Sequence, residues 1–396
     1  MDDVKPQGID PGSKGNRLNK IEVPARNTRA PFFLAELIDE FCAALQKEKP
    51  ANEETQRRYR EYLATILRLA GNRDITEYSH KDLADLKTQL CRWPSNVNKV
   101  KGFQGKTTEE ILRMKVEKPL DKRTVTTKYM AKIIDVFQYA FRYGKIDRDI
   151  SRNLVSSLTV AEKRARKRKA YDPADLQKIF EQLPFHVERA YLAWVPLIAA
   201  YTGARPGEIC RLRVEDINMM SDIPHMWVTE EDDQGNIVKN VRNEESKRLV
   251  PLHPIVLDMG FLQFVTLRKD QGKGAIFEIR RKGSNESEPL TGQYYEKSFE
   301  TFNRKFITHD QRKVFHSFRY TVHHELERKK VSQKTYYSIT GHVAQFENHT
   351  AFDKHILAKK YSALLQLGYP CIDLAALKER FRVFLEREAG PHLSDM

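Results

Sequence analysis

The sequence predicts a mostly helical protein with one small antiparallel β-sheet, an α+β fold in which helices dominate. Long stretches repeat apolar residues at spacings of three and four, which is the period of an amphipathic helix. Between residues 224 and 253 apolar and polar residues instead tend to alternate, which is the period of a strand. With 396 residues, the chain is long enough for two or three domains with separate cores.

The first 160 residues predict a polar arm followed by a helical domain. Residues 1–30 are rich in Gly, Pro, Lys and Arg and predict a flexible basic arm. Residues 31–160 predict four helices, in which Ser79 caps the third and Gly71 ends the second. Their sequences are FFLAELIDEFCAALQ, ETQRRYREYLATILRLAG, SHKDLADLKTQLCRW and KRTVTTKYMAKIIDVFQYAFRYGKI. In the fourth, we expect a buried stripe of Met130, Ile133, Ile134, Phe137 and Phe141.

Residues 171–396 predict a second domain that carries the sheet. Asp172 and Pro173 are typical of a helix start, and the apolar helix ERAYLAWVPLIAAYTG should end at Gly203. The segments HMWVTEE, IVKNVRN and SKRLVPLH predict a three-stranded meander, and the rest is expected to be helical to about residue 390. The last helix carries an apolar stripe (Leu374, Leu377, Phe381, Leu385) that could pack on its own domain or on a neighbour.

The charge distribution favours a polyanionic partner. The formal net charge is +14 and the pI is about 9.4, which suits nucleic acid or an acidic membrane surface. Residues 161–170 form a basic linker between the domains, in which a nuclear localisation signal is the competing interpretation. The candidate nucleic-acid contacts there are Lys163, Arg164, Arg166, Lys167, Arg168 and Lys169. Thr126 and Lys128 add a polar face that suits a backbone phosphate equally well as an ordinary solvated surface.

Several protein classes are disfavoured by composition. No run approaches eighteen consecutive apolar residues, so no transmembrane helix is expected, and the first twenty residues lack the apolar segment of a secretory signal. The four cysteines are far apart and form no CxxC pair. Structural zinc and disulfides are therefore not expected, and reduced thiols in the cytoplasm fit best.

A phosphate site is predicted from five separated residues. Arg205 stands at a helix mouth where unpaired N–H groups favour an anion, and Glu208 is one turn further on, where it can brace Arg205. His316 and Arg319 are three residues apart, and His342 follows a glycine after a short helix. Arginine and histidine together suit phosphate chemistry. A capping role for Arg205, and a metal site built from His316, His323 and His324, are the alternatives.

The order of these motifs resembles that of the tyrosine recombinase (phage integrase) family. The matching segments are TGARPGEICRLRVEDI, SKRLVPLH, HSFRYTVHHEL and ITGH, within residues 170–371. Residues 31–160 resemble the helical core-binding domain of that family, ahead of the catalytic domain. The resemblance implies a site-specific recombinase, an integrase of a mobile element, that cuts and rejoins DNA through a 3′-phosphotyrosyl link.

The resemblance also implies roles and partners. Arg205 and Arg319 would clamp the non-bridging oxygens, His316 would bind the phosphate or assist proton transfer, and His342 would orient the nucleophile. No cofactor, ATP or divalent metal is implied, because the guanidinium groups supply the charge. The expected partners are double-stranded DNA and a homotetramer on paired DNA sites, with no membrane, in the bacterial cytoplasm or nucleoid.

Two positions depart from the family pattern. The lysine that acts as general acid aligns with Arg242, a poor proton donor, and Lys239 or Lys247 could reach the site instead. The tyrosine nucleophile aligns with Phe352, which has no hydroxyl; Tyr361 is the nearest residue with the required chemistry.

These departures leave a second function class open. The chain could be an uncleaving or trapped DNA-binding homologue that keeps the fold without the nucleophile. An RNA-binding helical protein is disfavoured, because no module of stacking aromatics is recognisable.

Overall fold

The computed structural model describes residues 30–48, 53–97, 100–154, 167–229, 247–280, 287–341 and 353–390. The chain divides into two compact units, Met1–Val160 and Ala161–Met396. Apart from Ala30, the predicted arm lies outside the described ranges.

The first unit is helical. Its helices are α1 (Leu34–Glu48), α2 (Glu53–Ala70), α3 (His80–Arg92), α4 (Thr108–Arg113), α5 (Lys122–Thr124) and α6 (Ala131–Arg142), with a π-helical segment at Val125–Met130 and 3₁₀ turns at Ile75–Glu77 and Lys101–Phe103. Ser79 caps α3 in a reciprocal capping box with Asp82, and Gly71 follows α2 with φ +77°, as the sequence predicts.

The predicted stripe of the fourth helix is wrong at one residue. Met130, Ile133 and Phe137 are fully buried, but Phe141 is 44% exposed. Val136 and Ala140 are buried in addition to the predicted residues. In the last turn of α6, Tyr139 and Ala140 occupy the buried face, so the buried stripe turns around the helix and leaves Phe141 exposed.

The second unit surrounds a larger core with helices and two sheets. Its helices are α7 (Pro173–Glu181), α8 (Tyr191–Thr202), α9 (Pro206–Cys210), α10 (Pro254–Asp258), α11 (Phe261–Asp270), α12 (Gly292–Phe302), α13 (Ser317–Arg328), α14 (Gln333–Thr340), α15 (Lys354–Leu364) and α16 (Leu374–Ala389), with 3₁₀ turns at Val187–Arg189 and Val214–Asp216 and a π-helical segment at Asn303–Ile307. Asp172 caps α7 with Pro173 at its first position, and α8 is buried from Tyr191 to Thr202 apart from one half-buried leucine.

The main sheet is a three-stranded antiparallel meander that differs in part from the prediction. Its strands are β1 (Ile217–Met220), β2 (Ile223–Val228) and β3 (Arg248–Pro251), in the order β1-β2-β3. Val228 pairs with Arg248, and Ile217 pairs with Met226. Thus β2 and β3 correspond to two predicted strands, β1 was not predicted, and the predicted strand at 237–243 lies outside the described residues.

A second sheet corrects the expectation that the chain is helical after residue 253. Strands β4 (Glu278–Arg280) and β5 (Ser287–Pro289) form an antiparallel pair. Each has three residues, which is too short for a period of two to be recognised in the sequence.

The two faces of the main sheet are covered by different parts of the second unit. Met226, Val228 and Val250 point into the main core. On the other face Ile223 and Leu249 form a small cluster with Leu357 of α15. Helix α15 is also held by Lys360, which is 3% exposed and donates from Nζ to the Leu249 carbonyl at 2.9 Å.

The terminal helix α16 packs on its own unit. Phe381 lies 4.3 Å from Trp194 and 4.8 Å from Phe185, measured between ring centroids. Arg380 donates to the carbonyl of Phe180, in the last turn of α7, at 2.8 Å and to the carbonyl of Leu183, just beyond the end of α7, at 2.6 Å. Of the two packing modes open for this stripe, the structure therefore has the intramolecular one.

Candidate active site

Arg205 lies at the start of α9, where the sequence places it. Helix α8 ends at Gly203 with φ +66°, which is permissive for glycine, and the chain then turns so that Arg205 precedes Pro206 at the first helical position. The predicted brace by Glu208 is present. Glu208 Oε2 accepts from the Arg205 backbone N–H at 2.8 Å, and Oε1 accepts from Arg205 Nη1 at 2.8 Å.

Arg319 is the most deeply buried of the predicted phosphate residues that the structure describes. His316 occupies the N-cap position of α13, and Arg319 follows in the first turn with 3% exposure. Arg319 donates from Nη1 to the Gly203 carbonyl at 3.1 Å and from Nη2 to the Thr340 carbonyl. It therefore ties the end of α8 to the end of α14.

The protonation states follow from burial and neighbouring charge. Burial lowers the pKa of His316 to about 4, and the charges of Arg319 and Arg205 act in the same direction. The imidazole is therefore neutral at neutral pH and has one donor and one acceptor nitrogen. Burial also lowers the pKa of Arg319 to about 10, so this guanidinium remains charged near neutral pH.

Arg248 is a site residue that the sequence reasoning did not assign. It begins β3, is 4% exposed, and donates from Nη2 to Glu208 Oε2 at 2.9 Å and from Nη1 to Glu208 Oε1 at 3.3 Å. Its Nε donates to the Ile339 carbonyl at 2.7 Å. A cation within the apolar strand sequence RLVP was the signal that could have identified it, because a buried charge needs a partner.

Glu208 is shared by two arginines. Burial would raise the pKa of the Glu208 carboxyl, but the charge and hydrogen bonds of Arg248 and the charge of Arg205 outweigh burial and lower it to about 2. Each carboxylate oxygen accepts two hydrogen bonds, one from each arginine. Glu208 is thus ionised at neutral pH and fixed between Arg205 and Arg248.

The C-terminal end of α14 collects three guanidinium groups. Successive carbonyls of Ile339, Thr340 and Gly341 accept from Arg248, Arg319 and Arg205 respectively. The last carbonyls of a helix have no intrahelical partner and carry the negative end of its dipole, so cations are stabilised there. The same three carbonyls at the end of α14 therefore hold all three arginine side chains in place.

Arg205, Glu208 and His316 border a cleft of about 600 Å³. Its lining includes Arg205, Glu208, Arg211, Trp227, Thr291, Gly292 and His316. Helices α9 and α12 approach closely beside it, because a Cβ on Gly292 would lie 2.7 Å from the Cα of Gly207. With a partly exposed Arg205 and a neutral His316 at its wall, the cleft is suited to an anion with hydrogen-bonding oxygens.

Several predicted catalytic positions cannot be placed. Arg242, His342 and Phe352, together with the alternative Lys239, lie outside the described residues, although Gly341 immediately precedes His342. Tyr361 lies within α15, half-buried against the cluster of Ile223, Leu249 and Leu357. Because side chains alternate along β3, this is the face of the sheet away from the Arg248 side chain.

The predicted DNA-contact residues are also only partly described. Thr126 is half-buried and Lys128 exposed on the π-helical segment, whereas Lys163, Arg164 and Arg166 lie in a part of the chain the structure does not describe. Lys167, Arg168 and Lys169 are exposed. Arg168 donates to the Gln311 carbonyl at 2.8 Å, and Lys169 lies 3.3 Å from an Asp310 carboxylate oxygen.

The metal alternative gains no support from the described ranges. Among them, no group of three or more His, Cys, Asp or Glu side chains is placed to hold a metal ion. The ring centroid of His323 lies 4.4 Å from that of Tyr336 and 6.0 Å from that of His324. Within the same ranges, no helix is long and apolar enough to cross a membrane.

Comparison with known proteins agrees with this architecture. Residues 170–347 match the sequence profile of the phage integrase family. No curated protein sequence matches the chain. A lambda integrase (75–356) dimer bound to a COC′ core site is similar, with a TM-score of 0.50 and 16% identity, over 83% of this chain and 95% of that chain. The Tn1549 transposon integrase in complex with transposon right end DNA has a TM-score of 0.52 and 14% identity, over 78% and 91%. At these identities the likeness shows a shared fold.

Proposed function

We propose that this chain is a site-specific DNA recombinase, an integrase of a mobile element, because residues 170–347 match the phage integrase family. The observation that carries the proposal is that Arg205 and His316 line one cleft, while Arg319, one turn beyond His316, is hydrogen-bonded to the same end of α14 as Arg205. They stand at the N-terminal ends of two helices, α9 and α13, and Arg205 and Arg319 bind consecutive carbonyls at the end of α14.

The chemistry is a transesterification at phosphorus. A phenolic oxygen attacks the phosphate, forms a 3′-phosphotyrosyl bond, and releases the 5′ oxygen, which takes up a proton. Negative charge grows on the non-bridging oxygens, where Arg205 and Arg319 supply fixed positive charge. Neutral His316 can donate a hydrogen bond to the phosphate or accept the phenolic proton. Bond energy is retained, so neither ATP nor a metal is required.

Position 352 is the proposed nucleophile position. Asp353, its neighbour, caps α15 by accepting from the backbone N–H of His355 at 2.6 Å, so residue 352 directly precedes an anchored helix. Tyr361 is half-buried against the cluster of Ile223, Leu249 and Leu357, on the face of the main sheet away from the Arg248 side chain. With Phe352 in this position, the second candidate function is a DNA-binding homologue that does not cut.

The remaining roles extend the same proposal. His342 would follow the anchored end of α14 into the site, and the general acid would come from Arg242, Lys239 or Lys247 ahead of β3. Thr126, Lys128 and the basic run from Lys163 to Lys169 would contact the DNA backbone. A homotetramer on paired DNA sites is proposed from the family alone.

Covalent trapping tests the proposal. Duplexes are selected from a random pool by binding to the full chain, and labelled copies are then nicked at successive positions so that cleavage cannot be reversed. The chain as it stands, Phe352→Tyr and Tyr361→Phe are incubated with these duplexes and separated under denaturing conditions. A covalent adduct made by Phe352→Tyr alone supports a recombinase site whose nucleophile position is 352.

The matched control is the double variant Phe352→Tyr with Arg205→Ala, which should bind the duplex without forming the adduct. An adduct formed by the chain as it stands and lost in Tyr361→Phe would instead assign Tyr361. Duplex binding without an adduct from any variant would support the DNA-binding homologue.

A further inference from the structure

We propose that Arg248 is a positioning residue of the phosphate site, which neutralises Glu208 so that the charge of Arg205 stays available to the anion. This inference rests on the proposed function only in identifying that anion as a DNA phosphate. Arg248 itself is buried under α14 and, unlike Arg205 and Glu208, is not part of the cleft lining.

Hydrogen bonding fixes the position of Arg248 completely. Its two terminal nitrogens bind the two oxygens of Glu208, and its Nε binds the Ile339 carbonyl. Gly341 lies directly against it, since a Cβ there would lie 2.7 Å from Nη1 and 2.9 Å from Cζ. The guanidinium therefore occupies space that only a glycine at position 341 leaves open.

The same contacts place the groups that meet the anion. Glu208 holds Arg205 by two hydrogen bonds, to its backbone N–H and to Nη1. Gly341 accepts from Arg205 Nη2 at 3.3 Å. Arg248 thus acts on Arg205 through both the carboxylate and the end of α14, which also leads to His342.

Charge accounting explains why a cation is needed there. Three guanidiniums (Arg205, Arg248, Arg319) and the Glu208 carboxylate leave two net positive charges at the site. Without Arg248 only one net positive charge would remain, and the negative charge of Glu208 would be compensated by Arg205 alone. At the separations of directly bonded groups, one unit of charge in a partly buried site changes anion affinity by on the order of tenfold or more.

The pKa of His316 reports on the net charge of the site and can be measured without DNA. Its imidazole responds to Arg319, Arg205 and Arg168, which lower its pKa, and to Glu208, which raises it. Histidine-selective NMR of the full chain, with His316→Gln for assignment, would measure this titration. Sulfate serves as the anion probe, and its affinity is read from the same resonance.

The expected results separate charge from packing. Arg248→Gln should raise the pKa of His316 and weaken sulfate binding by roughly tenfold. Combining Arg248→Gln with Glu208→Gln should restore the pKa of His316 and should bring the sulfate affinity to within about threefold of the original. A packing role would instead make the double variant as poor as the single one, or worse, and that result would overturn the proposal.

The double variant also covers failure of the single one to fold. Replacing both members of a buried ion pair is often tolerated where removing one is not. If Arg248→Gln unfolds, a folded double variant with the original sulfate affinity supports the proposal, and a tenfold loss or failure to fold contradicts it. Arg380→Gln is the matched control. It removes hydrogen bonds to main-chain carbonyls away from the cleft and should reduce stability without moving the His316 titration.

The two proposals can fail separately. Variants that behave as expected, with no covalent adduct from Phe352→Tyr, would retain the role of Arg248 and reject the recombinase. An adduct from Phe352→Tyr would support the recombinase. If the single variant Arg248→Gln and the double variant with Glu208→Gln then showed the same change in His316 pKa and sulfate affinity, the role of Arg248 would be rejected.

Discussion

Removing the Phe381 ring should strongly destabilise the second unit. Phe381 of the terminal helix is fully buried, with its ring against Trp194 and Phe185. A buried phenylalanine contributes about 150–250 Å² of apolar area, or roughly 4–6 kcal/mol at about 25 cal/mol per Å². Because alanine retains part of that area and the site can relax, we expect Phe381→Ala to cost about 3–5 kcal/mol.

Urea unfolding of the full chain, followed by tryptophan fluorescence at low and high protein concentration, measures this loss. Trp194 reports on the same contact, since it touches Phe381 directly. Because α16 packs within its own chain, the loss should not depend on protein concentration. Phe306→Ala is the matched control, because Phe306 is 44% exposed and should cost less than about 1 kcal/mol.

A different outcome would refute intramolecular packing of α16. If Phe381→Ala cost less than about 1 kcal/mol in dilute protein, the helix would not contribute to the fold of the single chain. A loss that appeared only at high concentration would place the helix on a neighbouring subunit.

Three further predictions concern stability, pH and the cleft. Phe137→Ala should cost about 3–5 kcal/mol, while Phe141→Ala in the same helix should cost less than about 1, by urea unfolding. Burial lowers the pKa of His253 to about 4 from its usual 6.5, so the folded state resists protonation and stability should fall as pH decreases from about 6.5 towards 4. His253→Asn, which keeps a capping oxygen, should make the unfolding free energy less dependent on pH over that range. In Phe352→Tyr, adding Arg205→Lys should reduce adduct formation at least about a hundredfold with duplex affinity within about threefold, because lysine cannot make the two contacts of the guanidinium.

Much of the fold could be predicted from periodicity and caps. Ser79, Asp172 and Gly203 mark helix ends where the structure has them, because each acts through local backbone chemistry. The errors occur where local rules are insufficient. In the last turn of α6, tertiary packing buries Tyr139 and Ala140 and leaves Phe141 exposed, and the β4–β5 pair is too short to show a period.

The site was predictable as far as residue type carries chemistry. Arg205, His316 and Arg319 could be identified because their motifs resemble a family and their groups suit phosphate. Arg248 could not, because its role depends on a carboxylate forty residues away and on a carbonyl at the end of α14. The use of three successive main-chain carbonyls to hold three arginines has no sequence signature, since every residue has a carbonyl.

A structure of the full chain bound to a selected duplex would test the central claim most directly. The account predicts a phosphate in the cleft, contacted by Arg205 and Arg319, with the side chain of residue 352 in line with the bond to the 5′ oxygen. Tyr361 in that line would contradict the assignment of the nucleophile position. A duplex bound with no phosphate in the cleft would contradict the proposal that this site acts on DNA.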